Sequence, residues 1–250
     1  MRAFWFALQF LTRLPVPRIA EYTAEDRGRS VLCYPIVGLL IGVVLTGFLF
    51  LLADANPGLR AALLLLIWVL LTGALHLDGL GDSADAWLGG HGDRARTLEI
   101  MKDSRSGSAA IVAVALVLIV KFAALSTLTH AAYWPTLVLA PLLGRASLVL
   151  LFLTTPYVRA GGIGAAHAAN LPRGGAVVVL LTVAIGPPVF MGYAGLWPVV
   201  AALAMVWLLR RLMLQRLGGA TGDTLGASCE IVEAAVLVVM VLAGALLVMG

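Results

Sequence analysis

The sequence predicts an all-α, polytopic transmembrane bundle: about seven spans behind an N-terminal amphipathic helix, in one membrane domain over residues 1–250. Three observations carry this expectation: the composition, the length of the apolar runs and the placement of the basic residues. Apolar residues make up 61% of the chain and charged residues 12%, about half the charged share of an ordinary soluble domain. Mean hydropathy is +1.01. So few charges cannot cover a water-facing surface, which excludes a soluble globular enzyme, a disordered chain and a secreted disulfide scaffold. The net charge of +4 is too small to point to nucleic acid. Cys33 and Cys229 have no metal-ligand spacing and read as small buried residues.

Taken in order, Met1–Leu14 is apolar with Arg2 and Arg13 and reads as retained, since no cleavage site follows it, either as an interfacial amphipathic helix or as part of an eighth membrane element. Apolar runs of spanning length follow at about Val31–Ala53, Arg60–Leu77, Ser108–Leu128, Tyr133–Leu153, Ala176–Tyr193, Leu196–Leu214 and Ile231–Met249. Gly186-Pro187-Pro188 is expected to kink the fifth. The longest polar stretch, His76–Gly107, is expected as a loop between spans two and three.

The basic residues give the orientation. In a seven-span arrangement, 14 of the 17 fall on one side: Arg2, Arg13, Arg18, Arg27 and Arg29, then Arg94, Arg96, Lys102 and Arg105, then Arg159 and Arg173, then Arg210, Arg211 and Arg216. The other side holds Arg60 alone. This asymmetry predicts a cytoplasmic N-terminus, cytoplasmic polar segments over 76–107 and 215–230, and a C-terminus outside.

The acidic residues concentrate on that side too. Six of 13 lie in the first polar segment, around His76-Leu-Asp78-Gly-Leu-Gly-Asp82-Ser-Ala-Asp85. On a helix Asp78, Asp82 and Asp85 fall within about 60° of one another. Three carboxylates on one face repel unless they are solvated or hold a cation, and oxygen ligands select a hard ion such as Mg²⁺. The alternative is a solvated helix face. A second constellation, Glu99-Ile-Met-Lys102-Asp103-Ser-Arg105, offers two cations for a phosphate and an acid for the metal cluster; the alternative is an anchor for span three. The third is Gly218-Gly-Ala-Thr221-Gly222-Asp223, running on to Glu230 and Glu233. Its glycines allow backbone N–H groups to approach an anion, while Glu230 also suits the start of a helix. Arg145 lies inside a span, where an arginine faces a polar cavity or an acid. Lys121 lies nearer the outer end of its span and is expected to snorkel. His91, His130 and His167 read as isolated loop residues.

These motifs carry a resemblance that runs nearly end to end. The chain resembles the cobalamin synthase family, the adenosylcobinamide-GDP ribazoletransferases. The matching pieces are Phe10-Leu-Thr-Arg-Leu-Pro-Val-Pro17, Tyr34-Pro-Ile-Val-Gly-Leu-Leu-Ile-Gly42, His76–Asp85, Glu99–Arg105, Gly144-Arg145, Tyr157-Val-Arg159 and Gly218–Ala227, in the family's order. Departures are small: Ala86-Trp87 follows the last acid of the first motif, Ser108-Ala-Ala110 replaces a segment with an aromatic and a second glycine, and Gly-Gly-Ala-Thr-Gly-Asp lacks a tyrosine. The acids are intact.

The resemblance implies transfer from adenosylcobinamide-GDP to α-ribazole or its 5′-phosphate, releasing GMP, with Mg²⁺ as cofactor, in the bacterial inner membrane. By the same resemblance, Asp78, Asp82 and Asp85 would hold the metal. Lys102 and Arg105, with Arg145 or Arg159, would neutralise the diphosphate. Asp103 or Asp223 would take the hydroxyl proton, and Thr221 and Gly222 would line the nucleotide side; His76 belongs with the substrate-binding residues. Two alternatives stand beside this one. The acid spacing partly matches the CDP-alcohol phosphotransferases, without their Ala-Arg in register. A cation transporter would use the acids as ion ligands, but its acids belong at midplane in broken helices. The sequence leaves a homo-oligomer open.

Overall fold

The structure is a computed structural model that describes residues 1–250 apart from 18, 20, 104, 129–133, 160 and 250, and apart from the side chains of 163 and 245–249. Arg18, Ser104, His130 and Tyr133, used above, therefore lie outside the described residues.

The elements are α1 (Arg2–Leu11), α2 (Ala24–Ser30), α3 (Tyr34–Leu51), α4 (Pro57–Thr72), α5 (Leu75–Gly89), α6 (Arg94–Ile100), α7 (Ser108–Thr127), α8 (Trp134–Thr154), α9 (Ile163–Ala169), α10 (Arg173–Met191), α11 (Leu196–Leu217) and α12 (Gly222–Met249). No named strand occurs among the described residues. Among the described residues five stretches are long and apolar enough to cross a membrane, and α4 and α5 are so only taken together, across a bend of 88°. Of the expected spans, span two is broken at residues 73 and 74, while spans five and six are the separate helices α10 and α11, which join into one apolar stretch, Arg173–Leu217, across the 3₁₀ turn Gly192–Gly195, so seven holds as an approximate count.

The amphipathic helix is α1, which buries Ala7, Leu8 and Leu11 against the bundle. The inner core is built on close helix contact. Gly38 and Gly42 put one edge of α3 directly against the α8 backbone at Pro141 and Val138. Small residues at this spacing let two membrane helices touch along their backbones, where dispersion and not water exclusion supplies the attraction. By contrast Gly47, one turn further on, faces open space.

The stretch expected as a loop at 76–107 is mostly helical. Thr72 ends α4, and Gly73 and Ala74 both take left-handed conformations, φ 63° and 58°. Gly73 N–H donates to Leu70 and Ala74 N–H to Val69, so the last carbonyls of α4 are satisfied by a Schellman-type closure. The chain then restarts as α5, nearly at right angles. The other polar segment, 215–230, is likewise not a loop: α11 runs to Leu217, and α12 begins at Gly222.

Replacing Gly42 by leucine should lower the thermal midpoint of the detergent-solubilised protein, at a cost of about 1–3 kcal/mol or more for overpacking. Gly47→Leu should leave the midpoint near wild type. Equal midpoints for the two variants would count against the α3–α8 backbone contact.

Candidate functional site

One end of the bundle gathers the polar motifs. Asp85 of α5 accepts hydrogen bonds from Gly107 N–H (2.5 Å) and Ala110 N–H (3.0 Å), capping α7. Arg216, at the end of α11, donates to Trp87 O at 2.9 Å and to Thr97 Oγ1 at 3.0 Å. Arg94 of α6 donates to Leu217 O at 2.7 Å. The first turn of α12 crosses α5 closely. A Cβ on Gly79 would lie 2.8 Å from Asp223 O, and one on Gly226 would lie 3.3 Å from His76 Cα. These two glycines thus bring the acid helix and the glycine-rich motif together.

The third component is the link after α8. Ala220 N–H donates to Pro156 O (2.8 Å) and Val158 N–H to Ala220 O (2.9 Å), a short parallel bridge between two loops. It delivers Arg159, whose Nη1 is 2.7 Å from Asp223 Oδ2. Thr221 is fully buried and caps α12: it exchanges hydrogen bonds with Thr224, N–H to Oγ1 each way, at 2.9 and 3.2 Å. Its side chain therefore serves the helix terminus, and Gly222 beside it is exposed to the cavity.

Between these elements lies a cavity of about 410 Å³. His76, Asp78, Arg159, Gly222 and Asp223 line it, so five of the residues singled out from sequence share one space. Phe10, Tyr34, Phe152, Tyr157 and His167 form its aromatic side. Lys102, Asp103 and Arg105 do not line it; they lie in the connection between α6 and α7. There Arg105 pairs with Asp103 at 2.7 Å, and its hydrogen bonds hold the Asp103 carboxyl down at about 2.

Asp82 is half-buried on α5 at the level of the first turns of α7 and α12. Burial, then the Asp78 and Asp223 carboxylates, push its carboxyl up to about 6, against the pull of Arg159. The residues supply oxygen donors only, and their mutual repulsion is what a hard dication relieves. Among the described residues no three acidic, histidine or cysteine side chains stand close enough together to hold a metal by themselves. The three-carboxylate cluster expected from Asp78, Asp82 and Asp85 is therefore not formed: the Asp85 carboxylate is turned to the α7 terminus, where it accepts from Gly107 and Ala110.

Arg145 and Lys121 lie elsewhere. Arg145 of α8 is fully buried and paired with Glu233 of α12, away from the cavity lining. Its partner is thus an acid, one of the two surroundings expected for it. Lys121 does not snorkel. It is 2% exposed and pairs with Glu230 (2.5 Å) and with Glu233, under the ring of Trp68. Inside the bundle a nearby carboxylate satisfies its ammonium more directly than a distant interface. His167 is also not an isolated loop residue; it sits on α9, 1% exposed, among aromatic rings. The glycine cluster Gly161-Gly162-Ile-Gly164 before it was the one local signal of close approach.

Residues 3–241 match the family described as Cobalamin-5-phosphate synthase. The chain belongs to that family. Relatives named adenosylcobinamide-GDP ribazoletransferase agree along nearly the whole length. The protein from Pseudomonas entomophila (strain L48) is 56% identical over 238 residues, 95% of this chain and 98% of that one. The one from Stutzerimonas stutzeri (strain A1501) is 58% identical over 232 residues, 93% and 94%. The one from Pseudomonas putida (strain W619) is 54% identical over 243 residues, 97% and 100%. No solved structure matches the chain. The family match spans every element from α1 to most of α12.

Two outcomes test this geometry. A carboxyl pushed up on folding favours the protonated state, so stability falls as pH rises from about 4 through 6. With chelator present, Asp82→Asn should therefore melt above wild type at pH 7.5, and the gap should close towards pH 4.5. A gap that ignores pH would contradict the repulsion. Arg145→Met strands Glu233 beside a single cation and should cost about 3–5 kcal/mol of stability, seen as lower yield and midpoint. A stable Arg145→Met protein with only a raised KM would assign Arg145 to substrate instead.

Proposed function

We propose that the chain transfers the phosphocobinamide group of adenosylcobinamide-GDP to α-ribazole or its 5′-phosphate, yielding adenosylcobalamin or its 5′-phosphate, and GMP. Family membership over residues 3–241 and the names of the relatives support the transferase assignment. The observation that carries the site assignment is the meeting of three motifs at one cavity: Asp78 from α5, Arg159 from the link after α8, and Asp223 from α12.

Phosphoryl transfer is mostly positioning and charge neutralisation. Asp78 and Asp82 would hold Mg²⁺, with Asp85 remaining on the α7 terminus; the ion would neutralise diphosphate oxygens. Arg159, already oriented by Asp223, contacts the diphosphate. The acceptor hydroxyl attacks the β-phosphorus, the bond to the bridging oxygen breaks, and GMP leaves with that oxygen. Asp223 lines the cavity and takes the hydroxyl proton. Asp103 is a poor choice for that role, because it does not line the cavity and lies in the connection between α6 and α7. Lys102 and Arg105 are exposed and meet the donor outside the cavity.

The acidic end faces the cytoplasm and the membrane is the bacterial inner membrane. The support is the side bias of the basic residues and the charged diphosphate of the water-soluble donor.

The test is GMP release from adenosylcobinamide-GDP and α-ribazole by the membrane-embedded protein. Asp82→Asn should insert and melt cooperatively yet lose about a hundredfold or more in rate, the scale of one lost electrostatic contact to a reacting group. Chelation of divalent ions should silence the wild type. Near-normal turnover by Asp82→Asn would remove the carboxylate assignment.

A further inference from the structure

The cavity has two chemically different sides, and the transfer reading leaves open which substrate fragment enters it. One side is acidic and glycine-lined. The other is a set of rings contributed by α1, α3, α8, the link after α8, and α9. Phe10 lies 5.5 Å from His167 at 31°, and Phe152 lies 6.0 Å from His167 at 24°. Phe152 also stacks with Tyr157 at 6.3 Å and 21°, and Phe10 with Tyr34 at 6.4 Å and 26°. Phe152 is stacked with both Tyr157 and His167, and Phe10 with Tyr34, while Tyr34 and His167 are tilted by 52°; the stacked faces suit an offset stack with a further flat ring.

Size and polarity then select the occupant. About 410 Å³ is at the small end of ligand pockets, enough for a nucleoside and far too little for a corrinoid macrocycle. Two nucleosides take part in the proposed reaction: the guanosine of the donor and the ribazole acceptor. Guanine carries donors and acceptors along its edge that need several polar partners when buried. The cavity's carboxylates, Asp78 and Asp223, lie on its acidic side, and the aromatic side offers only the Tyr34 and Tyr157 hydroxyls and histidine ring nitrogens among the described lining residues. A benzimidazole-type base is bicyclic and apolar, with one ring nitrogen free to accept. The cavity supplies two matching donors without a hydrogen-bond partner among the described residues: the Tyr34 hydroxyl, 1% exposed, and His76 Nδ1, 4% exposed, of which His76 is the nitrogen donor.

Resting on the transfer reading above, we infer that the aromatic end of the cavity holds the base of the acceptor nucleoside. The base stacks against Phe10 and Phe152 with His76 donating to its free ring nitrogen, while the ribose and attacking hydroxyl point to Asp223. The donor's corrinoid and guanosine then stay outside, approaching the acidic mouth. The lower-base preference of the enzyme is set by these rings and by His76.

The test uses the full chain in lipid nanodiscs, with equilibrium dialysis against labelled α-ribazole and, separately, guanosine, and with KM measured for both substrates. Wild type should bind α-ribazole without donor and bind guanosine far more weakly. Phe152→Leu should weaken α-ribazole binding and raise its KM about tenfold or more, the effect of a lost base–aromatic stack. The donor KM should stay within about twofold, which also reports an intact fold. His76→Phe should reduce the preference for benzimidazole over a carbocyclic analogue lacking the acceptor nitrogen. Unchanged acceptor binding in Phe152→Leu, a raised donor KM with weakened guanosine binding, or no α-ribazole binding by wild type would each overturn the inference. Failure of the wild type to release GMP would instead remove the transfer reading, and the dialysis would still judge where the base sits.

Discussion

A helix bearing Asp78, Asp82 and Asp85 cannot run on through hydrocarbon, and this constraint shapes the whole active end. The chain meets it by stopping α4 at Thr72 and restarting at Leu75 after two left-handed residues. Gly73 adopts that conformation freely. Ala74 does so against the preference of an L-residue, and the Schellman-type bonds to Val69 and Leu70 secure it. The backbone accounting closes locally, as it must where no water can complete it. Once turned, α5 lies across the first turns of α7 and α12, with Gly79 and Gly226 keeping it close. The capping of α7 by Asp85, the orientation of Arg159 by Asp223, and the cavity itself all follow from that turn.

The bundle beneath the site is held in two ways. Where α3 meets α8, glycines allow backbone contact and the interaction is apolar. Where α7, α8 and α12 meet, two cations and two carboxylates share the interior: Lys121, Arg145, Glu230 and Glu233. Gly144 makes room for this group, since a Cβ there would lie 2.7 Å from Glu233 Cγ. The quartet is neutral in sum, so its charges are compensated where they are buried. It supports α12, and α12 carries Asp223.

The fold class was legible because lipid imposes a composition that nothing soluble shares, and the amphipathic α1 was legible from its pattern. The span count was less so. Hydropathy reads through a sharp bend, so Arg60–Leu77 hid the break at Gly73 and Ala74. That Asp78, Asp82 and Asp85 lie on a helix was not read, since 76–107 was expected as a loop, but the acids were legible as scarce charges. Pairings were not. Spacing along one segment cannot show that Arg145 answers Glu233, or that Lys121 turns inward, because their partners lie about 90 to 110 residues away. The aromatic side was the hardest part. Phe10, Tyr34, Phe152 and His167 come from four separate elements, and each alone looks like ordinary core.

The buried quartet also has a consequence for how the molecule is assembled. Lys121 and Arg145 emerge from the ribosome on α7 and α8, whereas both counter-charges ride on α12, the last helix in chain order. Until α12 arrives, two cations in the lipid phase have no partner in the bundle. Partly made chains are therefore marked by exposed charge within the bilayer, a signature that membrane quality-control proteases can read. Completion of the bundle and neutralisation of its interior become a single late event in biogenesis, and that same event brings Asp223 to the active end.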